Sequence, residues 1–190
     1  MDSSDTKVKI IKAMKSVIKD KSFDKITIGD ITEAAGISRQ TFYYHFDSIF
    51  EAYKWAIAAH TKHRCAKSND GVPSLLEFAL AWARALERQK ALTIAVLKSS
   101  YCTEFREYYT AKNNEISIQF VRGMIGGNVS NDVLEMTALF LSHAYTGLII
   151  DWIGKDMEIP LMSIQETIMQ LMSAVLKPEI FNNVIGNWKK

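Results

Sequence analysis

From Ser38 to Phe46 the chain reads Ser-Arg-Gln-Thr-Phe-Tyr-Tyr-His-Phe, a run dense in hydrogen-bond donors. In a helix, Phe42 and Phe46 are four residues apart and share one face. Arg39, Gln40, Thr41, Tyr43, Tyr44 and His45 are then left on the outside. A helix that is apolar within and rich in donors without is what a DNA major groove admits. The chemistry on offer is hydrogen bonding to a duplex, not bond breaking. No nucleophile elbow, phosphate-binding loop or carboxylate constellation occurs in the 190 residues, so no enzyme is expected.

That helix needs a frame. Thr27 suits the N-cap of a preceding helix, with Asp30 three residues on, near its positive end. Ile28, Ile31, Ala34 and Ala35 give this helix one apolar stripe. Gly36 stands where the chain must leave it with positive φ, and Ser38 caps the next. Thr27–Phe46 is therefore a helix-turn-helix. Residues 6–20 predict a helix before it, with Val8, Ile11, Met14, Val17 and Ile18 as the buried stripe.

The rest of the chain predicts helices throughout. Its composition is 48% hydrophobic with 3 Pro and 9 Gly, which favours a compact, mainly helical protein with a substantial core. Asp47-Ser48 can cap a long helix to about Cys65, and further helical patterns cover about 74–87, 90–99, 103–124, 131–154 and 161–176. The expected fold is all-α: a helix-turn-helix domain at 1–46, then a helical domain at 47–190 whose last helices suit dimerisation. In the last two helices, Leu134, Ala138, Leu141, Tyr145, Leu148 and Trp152 repeat with 4-3 spacing, as do Leu161, Ile164, Ile168, Leu171 and Val175. The final helix has a second stripe at Met162, Met169, Met172 and Leu176, which needs another surface to cover it. A homodimer joined by a four-helix bundle supplies that surface; burial inside a monomer is the alternative.

Charge and cysteine content add limits. A net charge of +2 does not advertise nucleic acid, and residues 1–50 hold 8 Lys and Arg against 7 Asp and Glu. Lys7, Lys9, Lys12, Lys15, Lys19, Lys21 and Lys25 crowd the first segment, either lining a DNA-facing edge or forming a solvated face. The charged N-terminus lacks the apolar core of a signal peptide. The longest uncharged run, Met136–Ile150, falls short of the roughly 20 residues of a membrane span. Cys65 and Cys102 form no paired motif. A cytoplasmic protein without a membrane partner is expected.

The pattern Thr27-Ile28-Gly29-Asp30-Ile31, then Ala34-Ala35-Gly36-Ile37-Ser38, then Thr41-Phe42-Tyr43-Tyr44-His45-Phe46 resembles the N-terminal signature of the TetR family of transcription regulators. The likeness is specific over about residues 8–55; beyond, it lies in length and helical layout. The wording of Arg39–Tyr43 and of Asp151-Trp152-Ile153 is similar to a Firmicutes-type subset that includes a regulator of dihydroxyacetone kinase genes. The resemblance implies a homodimer on a palindromic double-stranded DNA operator, usually as a repressor and in this subset also as an activator. It implies a phosphate contact for Thr27 and base-edge or phosphate contacts for Arg39, Gln40 and Thr41. Arg39 would suit guanine and Gln40 adenine. Tyr43, Tyr44 and His45 match positions that contact backbone or bases, with inward packing as the alternative for each.

Two departures bear on affinity. Ile49 stands where the family often has a lysine, and Gly29 where a basic residue is common. Two missing cations per subunit would lower the salt slope by about four units in a dimer. They give some substance to a second reading, a protein-interaction module that no longer depends on DNA.

The resemblance makes 47–190 a ligand-binding domain as well, since the family's C-terminal domain binds a small-molecule effector, of unknown identity here. Phe78, Trp82, Phe105, Tyr109, Phe120, His143 and Tyr145 are candidate lining residues, being aromatic or polar on otherwise apolar helices; plain core packing is the alternative. His60 and His63 lie one turn apart, but Cys65 projects elsewhere and no third ligand is evident, so neither metal nor cofactor is expected.

Overall fold

A computed structural model of the protein describes residues 3–65, 75–125 and 130–175. Nine α-helices and no strand occur among them: α1 Ser3–Val17, α2 Ile28–Ala35, α3 Arg39–His45, α4 Ile49–Cys65, α5 Leu75–Arg88, α6 Lys90–Leu97, α7 Cys102–Ile125, α8 Asn131–Gly154 and α9 Leu161–Val175. The all-α expectation holds. The chain forms two units, Met1–Asp156 and Met157–Lys190, with α9 in the second.

The first unit begins with α1 lying against α2 and α4. Its buried face is Ile10, Ile11, Ala13 and Met14, whereas Val8 is 41% exposed. Val8 departs from the expected stripe because two residues of helix carry it about 200° away from Ile10. Helix α1 also ends earlier than expected, since the chain tightens into turns at Lys19 and Asp20, whose amides bond the oxygens of Ser16 and Val17.

A short 3-10 turn, Phe23–Lys25, follows, which hydrophobic periodicity could not reveal at three residues. It joins the helix-turn-helix to the loop between α6 and α7. Phe23 is buried and meets Tyr101 edge-on at 5.5 Å. Asp24 Oδ1 accepts from the Ser100 hydroxyl at 2.7 Å and from its amide at 3.0 Å. Phe50 of α4 stacks on Tyr101 at 5.2 Å. The expected boundary at Phe46 is thus crossed by aromatic packing and a charge-assisted hydrogen bond.

Helices α7 and α8 pack along each other. Between them the Asn113 side-chain amide donates to the buried Thr146 hydroxyl at 3.0 Å. Helix α8 turns Ala138, Ser142, Thr146, Ile149 and Ile153 inward. Its other side leaves Val133, Met136, Phe140 and Leu148 at 51%, 67%, 71% and 50% exposure. By length and composition α8 is apolar enough to cross a membrane. Its packing on α7 is equally that of a core helix with one uncovered face.

Candidate nucleic-acid interface

Helix α2 starts from a closed capping box. The Thr27 hydroxyl accepts from the Asp30 amide at 3.1 Å, and Asp30 Oδ2 accepts from the Thr27 amide and hydroxyl, both at 2.9 Å. Lys21 Nζ adds an ion pair to Asp30 Oδ1 at 2.6 Å. That hydrogen bond from Lys21, followed by those from Thr27, holds the Asp30 carboxyl well below the usual range, at about 2. A depressed carboxyl contributes stability above its unfolded pKa of about 4; this contribution is lost as pH falls towards 2. Both Thr27 donors are engaged by Asp30, so a phosphate at Thr27 must compete with a carboxylate. Thr27→Ala is expected to cost about 0.5–2 kcal/mol through loss of the cap, read as a lower thermal unfolding temperature at neutral pH.

The turn follows glycine chemistry. Gly36 takes the left-handed conformation, φ 63° and ψ 41°, and its amide closes on the oxygens of Glu33 and Thr32. Ser38 then caps α3, accepting from the Thr41 amide at 3.0 Å and sharing a 2.8 Å hydroxyl contact with Thr41. Phe46, extended, closes the other end.

Across α3 the expected division of faces holds for Phe42, Phe46, Arg39, Gln40, Tyr43 and Tyr44, whereas Thr41 and His45, expected outside, are partly covered. Phe42 is fully buried and Phe46 nearly so, with their rings 6.0 Å apart. Arg39 and Gln40 are exposed, Tyr43 is 56% and Tyr44 82% exposed, and Thr41 and His45 are half-buried. His45 lies between Tyr44 and Phe46, with ring centroids at 5.0 and 6.5 Å. Lys7, one of the lysines read as an edge, sits 5.6 Å above the rings of both Phe46 and Trp55. It lines a cleft of about 420 Å³ beside the C-terminal end of α3, with Tyr43, Tyr44, His45, Trp55 and Tyr108. Ile49 is half-buried at the start of α4.

The candidate effector residues divide. Trp82, Phe105 and Tyr109 are buried together, with Tyr109 6.1 Å from Trp82 and 6.0 Å from Phe105. Tyr53 of α4, which sequence reasoning missed, joins them through Phe105 at 6.0 Å and donates its hydroxyl to Thr93 at 3.2 Å. The Tyr109 hydroxyl has no hydrogen bond of good geometry among the described residues, although Asn113 and Tyr145 lie beside it. Burial pushes its pKa well up, and Tyr145 adds to the effect. Phe120 and Tyr145 are half-buried, whereas His143 lies on the exposed side of α8, away from that cluster. The side chains of Phe78, His60, His63 and Cys65 lie outside the described residues.

A capped two-helix unit with an anchored second helix and an outward donor face defines a helix-turn-helix DNA-binding protein. The family profile described as "Bacterial regulatory proteins, tetR family" matches residues 10–50, and one described as "Transcriptional regulator C-terminal region" matches residues 74–174. The chain belongs to the TetR family of transcriptional regulators. Among solved structures it is similar to "Dihydroxyacetone kinase operon activator DhaS", with a TM-score of 0.68 and 18% identity over 89% of this chain and 94% of that one. That likeness is one of fold. No curated protein sequence gives a significant match.

Proposed function

We propose that this protein is a cytoplasmic, effector-responsive regulator that binds a palindromic operator as a homodimer and represses the genes beside it. The observation that carries this reading is the outward face of α3, where Arg39, Gln40, Tyr43 and Tyr44 are exposed over a buried Phe42 anchor. The protein-interaction reading is less favoured, because it gives no use to so many free donors on one short helix. No catalytic role is assigned. The fold neighbour is named an operon activator, which supports activation as the second reading of the sign of control. The position of the operator relative to the promoter decides between them.

Dimerisation is assigned to the last two helices. Support comes from the exposed Val133, Met136 and Phe140 on α8, an apolar row that a two-fold partner would cover. Residues 1–46 are proposed as the DNA-binding part and 47–190 as the part that binds effector and partner. The effector is assigned to the aromatic cluster of Trp82, Phe105, Tyr109 and Tyr145, where the Tyr109 hydroxyl offers a buried donor for a ligand. An effector that lowers DNA affinity a hundredfold must favour the non-binding state by about 2.7 kcal/mol. The Phe23–Tyr101 and Asp24–Ser100 contacts offer a route for that bias.

Tyr44→Ala tests the reading cleanly, because a side chain 82% exposed contributes little to folding. In a salt-titrated shift assay on DNA flanking the protein's own coding region, the variant is expected to bind about tenfold weaker or worse. Wild-type binding that is absent or insensitive to salt contradicts the proposal.

A further inference from the structure

We propose that Gly29 sets how Arg39 meets DNA: lacking a side chain, it seats the guanidinium on the first turn of α2, against the phosphate backbone and away from base edges. This rests on the DNA-binding reading above and goes beyond it.

A Cβ placed on Gly29 would stand 2.9 Å from Arg39 Nη2 and 3.7 Å from Cζ. The guanidinium therefore reaches back from α3 and fills the space a side chain at 29 would take. Backbone geometry gives no reason for glycine there. Gly36 takes a positive φ, whereas Gly29 is the second residue of α2 with no positive φ, a position alanine can also occupy. The cation above it supplies the reason.

Arg39 is also unclaimed. No carboxylate among the described residues pairs with it, and neighbouring Asp30 is held by Lys21 at 2.6 Å. Exposed and unpaired, its planar fork remains available for bidentate contact with phosphate oxygens. In a helix-turn-helix the first helix crosses the DNA backbone while the second enters the groove. A guanidinium resting on α2 is placed for the former, and Gln40 and Tyr44 remain to face the bases.

The test uses the full-length protein with Gly29→Ala, Arg39→Ala and the double variant, on a duplex selected from random sequence by the wild type. Gly29→Ala is expected to fold normally by thermal unfolding, because only the end of a flexible side chain must move. It should bind on the order of tenfold weaker per half-site. Arg39→Ala should lower the slope of log K against log salt by about two units per dimer, with base preference unchanged. The double variant should bind no more weakly than Arg39→Ala alone. Relaxed preference at a single base pair in Arg39→Ala with the slope unchanged overturns the proposal. So does a Gly29→Ala variant that binds like wild type, or losses that add in the double variant. A wild type that selects no sequence overturns the regulator reading itself, and this inference with it.

Discussion

Phe42→Ala is expected to destabilise the helix-turn-helix and weaken DNA binding, although Phe42 lies on the inner face of α3, away from the outward donors. Its side chain is 0% exposed, with the rings of Phe46 and Tyr43 each 6.0 Å away. Truncating a buried phenylalanine costs about 3–5 kcal/mol, through lost transfer energy and the cavity left behind. Around it, α2 and α3 have only 8 and 7 residues, too few to hold as helices without their shared core. The melting temperature should fall by about 10 °C, read by circular dichroism at 222 nm. Tyr43→Ala, one position along and 56% exposed, should lower it by far less. Equal melting of the two variants would show that α3 is not anchored as described.

Phe140→Glu is expected to break the dimer and, with it, tight operator binding. Phe140 is 71% and Met136 67% exposed on the single chain, one helical turn apart on α8. A carboxylate forced into an apolar interface is desolvated without a partner, which costs several kcal/mol. Sedimentation should show a monomer of about 21.5 kDa where the wild type is twice that. With two half-sites no longer held on one scaffold, operator affinity should fall by about a hundredfold or more. A wild type that sediments as a monomer would contradict the assignment directly.

Most of the frame was legible because its signals are local. Thr27 with Asp30, Gly36, and Ser38 with Thr41 each act over three residues, and the expected caps are those found. Phe42 and Phe46 face inward because four residues make about one helical turn. Helix α8 runs Asn131–Gly154, the span its helical pattern predicts, and Ser130, which sequence reasoning missed, caps it by accepting from the Val133 amide. Long-range pairs were not legible. Asp24 meets Ser100 across 76 positions, and nothing local in either segment points to the other. The 3-10 turn at Phe23–Lys25 is too short to show a period. Effector candidates chosen for being aromatic on apolar helices could not be assigned a side, which is why His143 and Tyr109 look alike in sequence and differ in burial.

Gly29 marks the place where reading residues one at a time misleads. Taken alone it is a missing cation; beside Arg39 it is a seat for one. A glycine's role lies in what approaches it, and that is visible only after folding.

Hydroxyl-radical footprinting of the selected duplex shows whether two α3 helices read DNA as a pair. Two protected half-sites on a palindrome are expected, a whole number of helical turns apart, both lost in Phe140→Glu at the same concentration. Uniform protection without a repeated half-site, or none at all, would contradict a two-fold pair of α3 helices reading DNA.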